Sequence, residues 1–185
     1  MTIENVTPNI LQLNLAQERN DEDYGSCLWC KVTFDLDSYA LLVNGDCGDF
    51  VYNWVPTPNT EGFLELMTRI EGGYLLGKIS NRNVFNLNES IKQTCSNLEE
   101  CCDDVDTIGN AISEIKELID EGIGEEMFYT KCMNILGEYK IYDSFEIISV
   151  EKEYPSGAAK FAEIFTRDIQ PYLKKLINER ETYNE

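Results

Sequence analysis

The sequence contains no histidine, and its 15 lysines and arginines face 34 aspartates and glutamates among 185 residues. The lack of histidine removes the usual general base of serine and cysteine nucleophiles and leaves zinc only an all-cysteine ligand set. The shortage of cations gives a formal net charge of −19. Such a surface repels nucleic acids and anionic membranes, so we expect direct binding to neither.

Long hydrophobic runs and export signals are also missing. The apolar runs extend over only a few residues, as in YALLV at 39–43, so no membrane-spanning helix is predicted. The segment MTIENVTPNI at 1–10 has no basic residue and no apolar core, which argues against a secretory signal. Seven cysteines, an odd number, are then expected to stay reduced in a cytoplasm rather than form a disulfide framework.

The length and the 43% hydrophobic content are typical of one folded domain, predicted to span residues 1–185. Residues 1–58 are predicted to be mainly β, with Trp54 rather than Trp29 in the core. The predicted strands show apolar alternation or runs of β-branched and aromatic residues, at 9–15, 27–37, 38–43 and 49–55. The last three predict an antiparallel meander, which becomes four-stranded if the first joins it.

Helical periodicity replaces the strand pattern over residues 59–185, which are predicted to be mainly α. The predicted helices have apolar residues three or four positions apart and cover 60–70, 87–102, 107–122, 125–139 and 156–179. Ser156 is a predicted N-cap, Gly122 a helix end, and Pro171 a kink or break. A late strand is expected at 143–150. The fold class is therefore α+β, an N-terminal antiparallel sheet of three to four strands packed against a mostly helical C-terminal half.

Acidic residues are unevenly distributed along the chain. Residues 86–126 hold twelve acids and two bases, net −10, and residues 1–60 have a net charge of −7. Carboxylate runs usually form solvated surface, but clustering of this kind also suits a surface that binds a basic partner. The residues predicted to contact such a partner form two clusters, Glu99, Glu100, Asp103, Asp104 and Asp106 in the first and Asp120, Glu121, Glu125 and Glu126 in the second.

A cysteine-based zinc site is the alternative from another class of function. Cys27-Leu-Trp-Cys30 has the spacing of two zinc ligands, and Cys101 with Cys102 offers a second pair. Against this, Cys27 and Cys30 point to opposite faces of a regular strand over 27–37. Adjacent cysteines on a helix also diverge by about 100°. No metal site is therefore predicted.

The sequence gives even less support for a calcium loop or a magnesium-dependent nuclease site. Asp104, Asp106 and Gly109 match a calcium loop only until its twelfth position, which is Ile115. The triplet EYK at 138–140 resembles part of a magnesium nuclease core, but no aspartate on a predicted strand stands suitably before it, and the net charge opposes nucleic-acid binding. We predict no enzymatic activity, no catalytic residue and no cofactor.

A block over residues 45–80 is similar to small acidic accessory proteins of tailed phages and prophages. In that pattern a glycine and an acid precede an aromatic strand that ends in tryptophan, and a Phe-Leu helix and a Tyr-Leu-Leu-x-Lys-x-Ser segment follow. YPSGAAKFAEIF at 154–165 also resembles this family. Asn53 stands where the pattern has a basic residue. The matching residues are Gly48, Tyr52, Trp54, Phe63, Leu64, Tyr74, Leu75, Leu76, Lys78 and Ser80.

The resemblance implies an accessory protein of a mobile element, of the anti-defence type, that acts in the cytoplasm of a bacterial host. Together with the charge, it predicts an inhibitor that mimics nucleic acid and binds a basic host protein or ribonucleoprotein, such as a CRISPR–Cas or restriction complex. The alternatives are a zinc-binding or enzymatic cysteine protein, and a phage housekeeping protein whose charge serves solubility. Whether the chain forms a homodimer is left open. Neutralising Glu100, Asp104 and Glu121 is expected to stabilise the fold, because like charges repel.

Overall fold

The computed structural model describes residues 9–21, 24–56, 62–101, 104–141 and 144–182. The chain divides into two compact units. The sheet unit contains the residues up to Asn81 and those from Tyr154 onward, and the helical unit runs from Arg82 to Glu153. That both belong to a single domain stays a prediction.

An antiparallel sheet forms the first part of the sheet unit. Its strands β1 to β4 lie in chain order and span Ile10–Ala16, Trp29–Asp35, Ala40–Gly45 and Phe50–Asn53. The predicted meander is confirmed, with the segment 9–15 as its additional strand. The register places Leu13, Val32 and Val43 side by side. Because alternate residues share one face of a strand, this register defines the apolar inner face of the sheet.

Eight α-helices, numbered α1 to α8, follow the sheet in the described part of the chain. They span Phe63–Met67, Gly72–Ile79, Leu87–Cys101, Val105–Glu117, Glu125–Glu138, Ser144–Ile147, Ser156–Ile164 and Gln170–Thr182. Two short strands, β5 and β6, pair antiparallel at Val84–Phe85 and Lys152–Glu153. The predicted α+β class is confirmed. The N-cap role predicted for Ser156 is wrong, because Pro155 occupies the N-cap position of α7.

The core of the sheet unit lies between the inner face of the sheet and the helices α1, α2, α7 and α8. Phe34 of β2 is fully buried, and its ring centre lies 6.2 Å from that of Phe63 and 6.5 Å from that of Phe165. Burial of one such ring contributes about 2 kcal/mol. Trp54 is 8% exposed and packs on Phe63, whereas Trp29 is 50% exposed. The prediction that Trp54 is the core tryptophan is confirmed.

The C-terminal helical run departs from α-helical geometry just before Pro171. A π-helical turn, Phe165–Ile169, joins α7 to α8, and the N–H of Gln170 donates to the carbonyl of Phe165, five residues back. In a regular helix the proline ring would collide with the carbonyl four residues earlier, and the wider turn relieves that collision. The interruption predicted at Pro171 thus takes the form of a π-turn.

Helices α3, α4 and α5 pack around a second core in the helical unit. Leu98 of α3, Ile115 of α4 and Phe128 of α5 are fully buried there. The chain continues from α4 into a 3₁₀ turn, Leu118–Glu121, which ends at Gly122 with φ of 59°. The helix end predicted at this glycine is confirmed.

The strand predicted at 143–150 is wrong. Helix α6 occupies its first half, and side chains of α3 bind the backbone that follows. The Asn97 amide donates to the Ile147 carbonyl at 2.9 Å, and the Ser149 N–H donates to the Thr94 hydroxyl at 3.0 Å. These bonds satisfy the backbone groups that a sheet would otherwise pair.

Candidate functional site

The two predicted acidic clusters lie on the exposed surface of the helical unit, at opposite ends of α4. With a rise of 1.5 Å per residue, the length of α4 separates them by about 20 Å. Asp103 lies outside the described residues. The described members are Glu99 and Glu100 at the end of α3, Asp104 and Asp106 at the start of α4, Asp120 and Glu121 on the 3₁₀ turn, and Glu125 and Glu126 in the first turn of α5.

Asp104 has a structural role that the sequence did not reveal. It is the N-cap of α4, and its carboxylate accepts hydrogen bonds from the Thr107 hydroxyl at 2.8 Å and from the Thr107 N–H at 3.4 Å. The bond from the Thr107 side chain, followed by that from its backbone, lowers the pKa of Asp104 below its usual value. A carboxylate in this position stabilises the start of a helix.

Ion pairs divide the remaining acids into two groups. Glu121 pairs with Lys131 at 2.5 Å, and Glu125 pairs with Lys152 at 3.0 Å. The other members, here called the unpaired acids, form no ion pair with any residue that the structure describes. They are Glu99, Glu100, Asp106, Asp120 and Glu126.

A groove of about 570 Å³ runs between α4 and α5 and is rich in carboxylates. The acids on its wall are Glu114, Glu117, Glu121 and Glu138, beside the paired Lys131. Glu114 accepts a hydrogen bond of 2.6 Å from the Tyr139 hydroxyl. Three of these acids were not in the predicted clusters, because they come from two helices and form no run along the sequence.

Three buried cysteines of the sheet unit converge on one point. Cys27 precedes β2, Cys30 lies on the inner face of β2, and Cys47 lies in the turn between β3 and β4. Their sulfur atoms all lie within 4.8 Å of one another. The prediction that the first two point to opposite faces of a strand is wrong, because β2 begins only at Trp29.

Strand register and one carboxylate bring the three cysteines together. Cys30 of β2 is paired with Gly45 of β3. Gly45 lies two positions before Cys47. The Asp46 carboxylate accepts hydrogen bonds of 2.6 and 3.1 Å from two backbone N–H groups of the segment that enters β2. Desolvation raises the pKa of Asp46, but these backbone bonds outweigh it and lower the pKa overall. Asp46 therefore holds the chain before β2 beside the turn that carries Cys47.

Glycine at positions 45 and 157 allows other parts of the chain to come close to Cys30 and Cys47. A Cβ on Gly45 would lie 2.6 Å from the Cβ of Cys30, and one on Gly157 would collide with the carbonyl oxygen of Cys47. Gly157 lies in the first turn of α7. Any larger residue at these two positions would displace the chain at Cys30 or Cys47.

The Cys27 and Cys47 thiols are poor nucleophiles as they stand. Burial raises the pKa of Cys27 to about 12, and the neighbouring Cys47 thiol adds to the shift. The pKa of Cys47 is raised as well, first by the Cys30 thiol and then by burial. The thiolate is the reactive form, and these raised pKa values keep the Cys27 and Cys47 thiols protonated at neutral pH unless a cation binds them.

The other cysteines do not form a comparable group among the described residues. Cys95 and Cys132 are buried in the core of the helical unit, where burial raises the pKa of both thiols, that of Cys132 to about 12. Cys95 thus serves as a small buried hydrophobic residue. Cys101 is exposed, and Cys102 lies outside the described residues.

Residues that carry the phage resemblance lie together in the sheet unit. The Lys78 ammonium is 5.3 Å from the ring centre of Tyr52 and 5.1 Å from that of Tyr74. The Tyr52 ring lies 4.6 Å from that of Trp54. The cation–π contact between Lys78 and Tyr52 joins α2 to β4.

The chain is a small α+β protein with a sheet unit and an acidic helical unit. Residues 1–175 match the model of the phage family Phage_phiTE_072, and the chain belongs to that family. The predicted membership in a phage protein family is confirmed. No curated protein and no solved structure matches the chain. Among the described residues, no helix has both the length and the apolar content to cross a membrane.

Proposed function

We propose that this phage protein is an accessory factor that inhibits a basic, nucleic-acid-binding protein or ribonucleoprotein of the host, such as a CRISPR–Cas or restriction complex. The acidic helical unit carries the proposal. Residues 82–153 hold 17 acids and 6 bases, net −11. A surface of this kind suits a cationic channel that otherwise holds phosphates.

The dimensions of the acidic surface fit a nucleic-acid mimic. Carboxylates lie at both ends of α4, about 20 Å apart, and further carboxylates line the groove beside this helix. Phosphates of one DNA strand recur about every 3.4 Å along the helix axis. The length of α4 therefore corresponds to roughly six phosphate steps.

The unpaired acids are the most suitable contacts for a partner. A partner arginine reaches Glu99 or Glu100 without first breaking an internal ion pair, and it gains a charge-assisted hydrogen bond. Glu121 and Glu125 already hold lysines, so they contribute less. Asp104 contributes to the local potential while its carboxylate caps α4.

Two variants with the same change in net charge test the proposal. E99K/E100K/E126K reverses three unpaired acids of the helical unit and leaves Asp104 intact. The control with the same charge change, E18K/E71K/E179K, reverses three exposed acids of the sheet unit, one of which, Glu179, pairs with Lys175 at 3.8 Å. Purified protein is competed against target DNA for binding to each of a panel of restriction and CRISPR–Cas complexes, and circular dichroism verifies that the variants fold.

We expect the wild type to displace DNA from at least one complex, and to do so less well as ionic strength rises. The apparent affinity of the helical-unit variant for that complex should fall by at least about tenfold, since several charge pairs at an interface together contribute more than about 1.4 kcal/mol. The sheet-unit variant should compete like the wild type. Equal losses in both variants would reject the helical unit as the binding surface, and a wild type that displaces DNA from none of the complexes would reject the function.

A further inference from the structure

We propose that Cys27, Cys30 and Cys47 form a binding site for one thiophilic metal ion, Zn²⁺. The three sulfur atoms lie within 4.8 Å of one another and come from two segments of the chain. A tetrahedral zinc ion with Zn–S distances of about 2.3 Å requires sulfur atoms about 3.8 Å apart. The cluster therefore has to contract by no more than about 1 Å to hold the ion.

The surroundings of the cluster resemble those of a metal site. Cys27 and Cys30 have the C-x-x-C spacing of zinc ligands, and Cys47 supplies a third ligand from the neighbouring turn. The Asp46 carboxylate binds two N–H groups between the first two cysteines. Groups that orient the ligands from outside the coordination sphere are a regular part of metal sites.

A small cavity beside the cluster has room for the fourth ligand. It measures about 70 Å³ and adjoins Cys27 and Cys30, and a water molecule takes up about 30 Å³. Asp21 on its wall already accepts the Glu18 N–H, and Asp168 holds Arg167. We therefore assign the fourth position to water, with the carboxylates of the wall as its hydrogen-bond acceptors.

The donor set suits Zn²⁺ and is unsuited to several other metals. Iron–sulfur clusters usually take four cysteines, and the absence of histidine from the sequence removes the commonest ligand of copper(II) and nickel sites. Binding of Zn²⁺ converts three thiols to thiolates and releases three protons to solvent. Three thiolates and one Zn²⁺ leave a net charge of −1 at the site.

The test uses the full-length chain, reduced, stripped with EDTA and dialysed under nitrogen. Titration with Co²⁺ should produce a thiolate-to-cobalt charge-transfer band and the visible bands of a tetrahedral ion, both saturating at one equivalent. One equivalent of Zn²⁺ should remove them. The variants Cys27→Ser, Cys30→Ser and Cys47→Ser should each lose most of the charge-transfer band. Cys101→Ser, which changes an exposed cysteine outside the cluster, should retain it.

Reduced wild-type protein without a charge-transfer band would overturn the proposal, and so would an undiminished band in Cys47→Ser. A disulfide among the three cysteines, combined with no metal uptake after reduction, would point to redox chemistry and reject the metal site. Should a serine variant fail to fold, X-ray absorption on the zinc-loaded wild type decides. Three sulfur neighbours and one oxygen neighbour are expected, and a zinc ion without sulfur neighbours contradicts the assignment.

Discussion

The Asp46 carboxylate accepts a hydrogen bond of 2.6 Å from the backbone N–H of Leu28 and so joins the turn after β3 to the segment before β2. Cys27 and Cys47 lie one residue from these two bonded positions. The contact thus positions two of the cysteines, although Asp46 is not itself a member of the cluster. Loss of this hydrogen bond should make the positions of the three sulfur atoms less well defined, although all three cysteines are still present.

Replacing Asp46 tests this positioning role. Asp46→Ala removes both acceptors of the two N–H groups, and loss of a group that orients metal ligands typically weakens metal binding by about 10- to 100-fold. Zinc affinity is measured by competition with a chromophoric chelator. The control is Asp49→Ala in the same turn, whose carboxylate accepts a bond from the Asn44 amide; this variant should bind zinc like the wild type. Equal affinity of Asp46→Ala and wild type would show that the contact does not position the ligands.

Neutralising the unpaired acids should stabilise the free protein. E99Q/E100Q/E126Q lowers the repulsion within the helical unit, and the melting temperature should rise by roughly 1–3 °C. Added salt should reduce the difference, because it screens exposed charges. Glu121→Gln serves as the contrast, since it loses the pair with Lys131 and should not raise the melting temperature. A lower melting temperature of the triple variant would assign these acids a structural role.

The expectation from sequence that neutralising Asp104 and Glu121 stabilises the fold is revised, because both acids have partners.

Asp104 should stabilise α4 in a pH-dependent way. Its pKa is lowered in the folded state, so its contribution is present above the ordinary carboxyl pKa and is lost as pH falls through the lowered value. Asp104→Ala should lower the melting temperature at neutral pH by a few degrees. Asp104→Asn keeps an equally good cap but cannot titrate, so it should retain stability. Thermal unfolding followed from pH 7 to below about pH 4 should show the wild type approaching Asp104→Ala. Melting curves of Asp104→Ala that coincide with those of the wild type at every pH would exclude the capping role.

Gln170 should contribute more stability than its polar side chain suggests. Its amide donates to the carbonyls of Met67 at 2.9 Å and of Ile70 at 2.7 Å, in the buried region where α1 ends. Gln170→Leu leaves both carbonyls without this donor, and we expect a loss of about 2–4 kcal/mol in the free energy of unfolding. Urea denaturation measures the loss. Gln12→Leu, on the exposed face of β1, should change stability by no more than about 0.5 kcal/mol. A similarly small effect of Gln170→Leu would contradict the importance of these bonds.

Local patterns in the sequence were enough to predict most of the secondary structure. Cys30, Val32 and Phe34 alternate in the sequence and lie on the inner face of β2, and Ile91, Cys95 and Leu98 recur at helical spacing and lie on the buried side of α3. Such patterns indicate the buried face because the direction of a side chain follows from the backbone geometry of its own element. The strand expected at 143–150 failed because its backbone is satisfied by side chains of α3, which no local pattern records.

The acidic surface was predictable as a region but not in detail. The excess of acids over bases in residues 86–126 depends on composition alone. The partners of individual acids depend on contacts across the fold, as between Glu125 and Lys152. The groove acids Glu117 and Glu138 are likewise close only because α4 and α5 are neighbours.

The sequence by itself determined the net charge, the sheet of alternating strands, the amphipathic helices and the membership in a phage family. Only the tertiary structure decided that Cys47 joins Cys27 and Cys30. Pairing of β2 with β3 places Gly45 beside Cys30, and the Asp46 carboxylate draws the preceding segment onto the turn. Distances between residues far apart in sequence depend on strand register and turn geometry, and both are set by the packing of the whole sheet unit.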